Sequence, residues 1–235
     1  VAPVHIEFFK TERDIALAKA EIFEGMELGG VAVLNLDNEW HPVLAECARA
    51  NGVERVIGFG RSTDSEIRLM NVKSDVDGSL VDVEIDGQAL SYQIDAVGAH
   101  WAFNSIGVLA CAYALGLDTE ASAAAIRRIS AGRGRGGQVD IDLTSGGSFR
   151  MIDESYNASP AAMRAAFAVL AMTPPRGAGK RIAILGDMRE LGSRGTDLHA
   201  ELADDLLAAL PGRVFTVGPL MRALRARLPR VIRGV

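Results

Sequence analysis

Along the chain the apolar positions change period, and each change predicts an element. From Thr11 to Phe23, Ile15, Leu17, Ala18 and Ile22 recur near helical spacing, with Thr11 placed as N-cap and Gly25 just past the end. Val31-Ala-Val-Leu34 is a continuous apolar run between Gly29-Gly30 and the polar Asn35-Leu-Asp-Asn38. Such a run suits a buried parallel strand that delivers polar groups at its carboxyl end. Residues 42–50 then read as a helix and 53–59 as a second strand, so the unit is βαβ. Over 67–94 the period becomes two: Val81, Val83 and Ile85 alternate with Asp82, Glu84 and Asp86, and Asp86-Gly87 before another alternating run predicts a hairpin. An antiparallel flap is expected there.

Two helices follow, over 101–115 and 119–129, with Asp118 placed to cap the second. Next comes Ala131-Gly-Arg-Gly-Arg-Gly-Gly137, whose glycines cannot sustain regular structure and make a natural hinge. Beyond it, strand 149–152, helix 160–171, strand 180–185, helix 196–210, strand 213–217 and helix 219–227 alternate, the order of a Rossmann-like α/β domain. No stretch repeats another, so no solenoid is expected. The organisation read from this is α/β throughout, with one domain over 1–132 and a second over 138–235.

A chain of 235 residues, 49 % of them apolar, can fill two cores. The net charge of −5 gives no basic field for nucleic acid, and no run approaches the roughly eighteen apolar residues of a membrane-spanning helix. Neither nucleic-acid binding nor membrane insertion is expected. Cys47 and Cys111 stand far apart in alanine-rich helical stretches, which reads as two buried free thiols in a reducing cytoplasm. The first residue is Val1 and no signal-type apolar region follows it, so a piece of a longer product is expected.

Polar residues concentrate at strand ends, where open α/β sheets bind their ligands. One cluster is Asn35, Asp37 and Asn38; a second is Asp153-Glu-Ser-Tyr-Asn-Ala-Ser-Pro160, with Ser159 as helix cap and Pro160 in the first turn; a third is Leu185-Gly-Asp-Met-Arg-Glu-Leu-Gly192. Taken singly, Asn and Asp in such turns serve backbone geometry as readily as ligands. Lys19, Arg135 and His199, taken singly, read as ordinary helix or surface residues. No Gly-x-x-Gly-Lys-Thr phosphate loop occurs; Gly177-Ala-Gly-Lys180 runs into Arg181 and lacks the hydroxyl that meets magnesium. Without that loop the β- and γ-phosphates of ATP have no cradle.

Together the segments from Asp153 and from Leu185, with His5-Ile-Glu7 followed by Lys19 and with His100-Trp-Ala-Phe-Asn104, resemble the Mur ligases of peptidoglycan synthesis, in particular those that add D-alanyl-D-alanine. The resemblance covers nearly the whole chain. In that family the phosphate loop and the domain that grips the UDP-sugar belong to a segment that would precede Val1. What the resemblance implies is the remainder of a central ATPase-type α/β domain followed by a Rossmann-like C-terminal domain. The implied activity is that of a cytoplasmic, monomeric ligase using ATP and Mg2+ to join UDP-N-acetylmuramoyl-tripeptide to D-alanyl-D-alanine. The tripeptide carboxylate would become an acyl phosphate, which the dipeptide amine attacks.

The resemblance also assigns residues. His5 and Lys19 would hold magnesium, with Lys19 carbamylated, so that an ammonium becomes a carboxylate-like ligand for a hard cation. Asn35 falls in the family's Asn-x-Asp-Asp turn on the nucleotide side, with Asn38 in place of the last aspartate. His100 and Asn104 would face adenine, whose edge wants a donor beside an acceptor, as an amide offers. Trp101 stands where the family has asparagine. Arg135 would grip phosphate oxygens and Asp153 would reach the nucleotide from the second domain. Tyr156, Asn157, Asp187 and Glu190 would form the substrate side, and His199 repeats the family's downstream histidine. Glu154 and Ser159 replace an aspartate and an asparagine. Two other readings stay open: another Mur or folylpolyglutamate-type ligase, and a non-enzymatic binding module that lost the phosphate loop.

Overall fold

Thr11 caps the first helix as its position predicts. Its Oγ1 accepts the Asp14 N–H at 3.2 Å while the Asp14 carboxylate accepts the Thr11 N–H at 2.9 Å, a reciprocal capping box. These contacts belong to a computed structural model that describes residues 6–128 and 132–234. The chain divides into two compact units, Val1–Ser130 and Ala131–Val235.

The first unit runs α1 (Glu12–Ala20), β1 (Val31–Asn35), α2 (His41–Ala50), β2 (Arg55–Gly60), β3 (Ile67–Ser74), β4 (Ser79–Ile85), β5 (Gln88–Ile94), α3 (Ala99–Ala114) and α4 (Thr119–Ile126). The expected helix to Phe23 stops as α-helix at Ala20 and tightens into a 3₁₀ turn over Glu21–Gly25. The sheet order is β1-β2-β3-β4-β5. β1 and β2 are parallel, β2 meets β3 in parallel only through Phe59 and Gly60, and β3 to β5 are antiparallel. Asp86 and Gly87 both have positive φ, 50° and 77°, and close the two-residue hairpin between β4 and β5.

Burial follows the sequence periods. Val81 and Val83 of β4 are buried against α3, whose stripe Ala102, Ser105, Ile106, Leu109 and Ala110 recurs at i, i+3, i+4, i+7 and i+8. On the opposite side Ala20 of α1 and Ala45 and Ala48 of α2 cover Ala32 and Leu34. Val31 and Val33 pack against the α3 cluster, so β1 is covered on both faces, which is why its sequence is continuously apolar.

The second unit begins with a hairpin, β6 (Gly137–Asp142) against β7 (Ser148–Asp153), followed by α5 (Pro160–Met172), β8 (Ile182–Gly186), α6 (Gly195–Glu201), α7 (Ala203–Ala208), β9 (Arg213–Val217) and α8 (Met221–Arg227). β6 and β7 are antiparallel, β8 and β9 parallel. The single helix expected over 196–210 divides at Leu202, whose N–H bonds back to the His199 carbonyl, three residues earlier. Phe167, Leu185, Leu202, Leu206, Val214 and Leu224 lie in the core of this unit.

The cysteine expectation needs correction: Cys111 is exposed because it falls off the inward stripe of α3, and Cys47 is only half-buried, at the edge of the core that α2 covers. Among the described residues no helix is long and apolar enough to cross a membrane.

Candidate functional site

In the first unit the polar run after β1 is largely spent on the backbone. Asn35 Oδ1 accepts the Asp37 N–H at 2.9 Å and Asn38 Oδ1 the Trp40 N–H at 3.1 Å. The Asp37 carboxylate accepts the N–H of Arg61, at 2.8 and 2.9 Å, and that of Ser62, at 3.1 Å. The turns after β1 and β2 are thereby stitched together.

His100 and Asn104 lie four residues apart near the start of α3 and so share one side of the helix. Burial pulls the His100 imidazole below its usual value, so it is neutral at pH 7 and keeps one donor and one acceptor. Asn104 is exposed on the rim of a cavity of about 60 Å³, which is also lined by Ile94, Trp101, Ser105, Val108 and Ile126. The cavity is far too small to enclose a purine, but its apolar mouth with one amide at the edge offers a surface against which a planar ring can lie. Beneath it, Ser105 Oγ donates to the Ala102 carbonyl at 2.7 Å, so Tyr92 OH, also 2.7 Å away, donates to Ser105 Oγ. Burial pushes the Tyr92 hydroxyl up to about 12, and the Ser105 bond partly offsets this.

In the second unit the glycine–arginine segment docks on the end of β7. Gly136 N–H donates to the Asp153 carbonyl at 2.8 Å and Tyr156 N–H to the Gly134 carbonyl at 3.0 Å. The Arg135 guanidinium carbon sits 4.0 Å from the centre of the Tyr156 ring. Of the hinge expected over 131–137, residues 132–137 are therefore tied into the second unit. Asp153 accepts the Ser155 hydroxyl at 2.6 Å and the Ser155 N–H at 3.1 Å, and these bonds hold its carboxyl below the usual range. The next residue, Glu154, moves the other way, pushed up by burial and then by the Asp153 charge. Asn157 Oδ1 accepts the Ala158 N–H at 2.8 Å, and Ser159 Oγ caps α5 at Ala162 N–H, 3.2 Å.

The end of β8 carries the third cluster. Both oxygens of Asp187 accept N–H groups at the start of α8, from Met221 at 2.8 Å and Leu220 at 3.2 Å. Gly218, at φ +110°, leaves the room: a Cβ there would lie 2.3 Å from the Asp187 carboxyl carbon. His199 is fully buried. Its Nε2 accepts the Met188 N–H at 2.9 Å, which leaves Nδ1 as the donor to the Gly195 carbonyl, 2.6 Å away. Glu190 takes a positive φ of 61° in the turn so fixed.

The predicted residues thus fall into distinct groups. His100 and Asn104 share a helix face, Arg135, Asp153, Tyr156 and Asn157 meet in one pair of turns, and Asp187 and Glu190 flank the β8 turn. Asn35 lies at the end of β1, and Lys19 is exposed on α1. His5 lies outside the described residues. Among those described, no three His, Cys, Asp or Glu side chains converge as a metal site, so they offer magnesium no preformed set of oxygen ligands. Sequence reasoning missed Tyr92 and Ser105; a hydroxyl at a core position of each period was the available signal.

The sequence profile of the Mur ligase middle domain matches residues 1–112, and that of the Mur ligase glutamate ligase domain matches residues 142–233. The chain is 30 % identical over 232 residues to the UDP-N-acetylmuramoyl-tripeptide–D-alanyl-D-alanine ligase of Rickettsia prowazekii, covering 99 % of this chain and 50 % of that protein. The Escherichia coli protein of the same description is 28 % identical, with 95 % and 47 % covered. The chain thus spans about half the length of the curated relatives it matches. Among solved structures, MurF from Acinetobacter baumannii superimposes with a TM-score of 0.84 at 21 % identity, covering 100 % of this chain and 48 % of that one. MurF ligase from Thermotoga maritima in complex with ADP gives 0.77 at 21 % identity, covering 95 % and 49 %. With both domain profiles matched in order along the chain, and a fold shared with these enzymes, the chain belongs to the Mur ligase family.

Proposed function

We propose that this chain is the nucleotide- and acceptor-handling part of an ATP-dependent ligase that adds D-alanyl-D-alanine to UDP-N-acetylmuramoyl-tripeptide. The observation that carries the nucleotide half is the apolar slot with Asn104 on its rim and neutral His100 one turn before it. The substrate half is supported by the relatives' own descriptions. ATP, when bound, supplies the phosphoryl group that turns a carboxylate into an acyl phosphate. The residues of the chain do the positioning. Asn104 presents donor and acceptor to the base, with Ser105 held still beneath by Tyr92. Asn35 closes the neighbouring turn. Arg135 meets phosphate oxygens as charge spreads over them. Asp153, kept anionic by Ser155, orders the turn that carries Arg135. Asp187 and His199 act through the backbone, fixing the turn whose Glu190 shapes the dipeptide pocket, with Asn157 bordering it. Lys19, exposed on α1, is accessible to carbon dioxide and as a carbamate would gain the anionic oxygens that an ammonium lacks; with His5 it is the pair through which the reading extends to Mg2+.

The test is phosphate release and product mass from the full-length protein supplied with ATP, UDP-N-acetylmuramoyl-tripeptide and D-alanyl-D-alanine. Turnover that needs all three is expected. Turnover with a different acceptor would move the protein to another branch of the family, and nucleotide binding without turnover would make it a binding module.

A further inference from the structure

Arg135 and Tyr156 are both exposed, Tyr156 at 67 %, yet their backbones are held in fixed register. Two hydrogen bonds join their turns, Gly136 to Asp153 and Tyr156 to Gly134. Gly134, at φ +74°, presses so closely that a Cβ would come within 2.9 Å of Tyr156 Cβ and of its backbone nitrogen. The guanidinium, 4.0 Å from the ring centre, makes no hydrogen bond or ion pair among the described residues. Its neighbour Arg133 is the one whose charge bears on Asp153. Arg133 thus adds to the field at Asp153, whereas Arg135 lies against an aromatic ring.

We propose that Tyr156 is a positioning residue for Arg135: its ring holds the guanidinium at a set height and orientation, with the N–H edge kept for the oxygens of a phosphate anion. The inference rests on the reading of Arg135 as the phosphate-contacting residue and adds how it is kept ready. A guanidinium is weakly hydrated on its faces and donates along its edge, so a ring can take a face without consuming a donor. A carboxylate partner would instead occupy the edge and cancel the charge. An arginine without a platform must also surrender rotamer freedom on each encounter. In this arrangement the ring is the working part of Tyr156, and its hydroxyl is not.

The experiment uses the full-length protein with Tyr156→Leu, Tyr156→Phe, Arg135→Ala and the Tyr156→Leu/Arg135→Ala pair. By NMR, the Cδ protons of Arg135 are expected upfield from the ring current in the parent and in Tyr156→Phe, and at ordinary positions in Tyr156→Leu. Affinity for inorganic triphosphate and kcat are each expected to fall about two- to fivefold in Tyr156→Leu, the scale of an exposed cation–π contact, with the dipeptide KM unmoved. Tyr156→Phe recovers most of the loss, and Tyr156→Leu costs nothing further in the Arg135→Ala background. The proposal is overturned if the parent lacks the upfield shift, if the loss from Tyr156→Leu persists without Arg135, or if Tyr156→Phe is as impaired as Leu with a raised dipeptide KM. Absence of ligase turnover in the parent would sink the functional reading alone, since the ring-current and triphosphate arms still decide the role of Tyr156.

Discussion

Two adjacent carboxyls, Asp153 and Glu154, diverge because one is solvated by donors and the other is not. Asp153 gains the Ser155 hydroxyl and N–H and is held low, whereas Glu154 loses water on burial and faces its neighbour's charge. For Glu154 the folded state raises the pKa above its ordinary 4.5, so the stability linked to the protonated form is present below that value and is lost as pH rises through the folded one. Glutamine mimics the protonated form. Glu154→Gln is therefore expected to melt at a higher temperature than the parent at pH 7, with the difference vanishing below about pH 4. Equal melting curves at both pH values would show that the side chain is solvated. The same residue-level logic separates Asp37 and Asp187 from ligands: each spends its oxygens on N–H groups that follow a neighbouring strand, after β2 for Asp37 and after β9 for Asp187. The sequence shows such aspartates at strand ends but not which donors they meet, since Arg61 and Leu220 lie 24 and 33 residues away along the chain.

At the level of elements, period was a sufficient guide wherever one face alone was buried. The β4 alternation, the Asp86-Gly87 turn and the α3 stripe are all visible in the sequence because burial there has a single direction. Leu109 is fully buried at the centre of that stripe, so Leu109→Ala is expected to cost the first unit about 2–5 kcal/mol, measured by urea unfolding. A loss below about 1 kcal/mol would mean the site collapses around the smaller residue or is not core. β6 was illegible for a definable reason. Val139 and Ile141 alternate with Asp140 and Asp142, but the run follows directly on the glycines of 132–137, and its apolar side chains are not deeply buried. Pairing to β7, along with Asp140 bridging Arg150 at 2.9 Å and Arg176, secures a hairpin that the hydrophobic pattern alone does not demand. The division of the 196–210 helix at Leu202 was equally hidden, because the apolar spacing continues across it.

Over the whole chain, the family motifs fall at strand ends, but they do not distinguish side chains that would touch a ligand from side chains that hold the turn. Within the second unit we propose a division of those roles from the hydrogen bonds, and it has a kinetic form. With Arg135 proposed as the phosphate-contacting residue, Arg135→Ala is expected to lower kcat by about 10²- to 10³-fold, the scale of losing one donor to developing charge, with little change in the KM for D-alanyl-D-alanine. Asp187 meets only backbone, so its loss should act by loosening the turn before Glu190. Asp187→Ala is expected to raise the dipeptide KM about tenfold, equivalent to about 1.4 kcal/mol, and to leave ATP affinity nearly intact. It should also lower stability by about 0.5–2 kcal/mol, because α8 loses its cap, whereas Arg135→Ala should leave stability nearly unchanged. Both variants would be assayed in the full-length protein, each substrate varied in turn, beside a urea unfolding curve. The stability arm keeps the two explanations of Asp187 apart: a raised KM without destabilisation would mean that its carboxylate contacts the dipeptide directly, and identical kinetic signatures in the two variants would mean that the two turns do not divide the work.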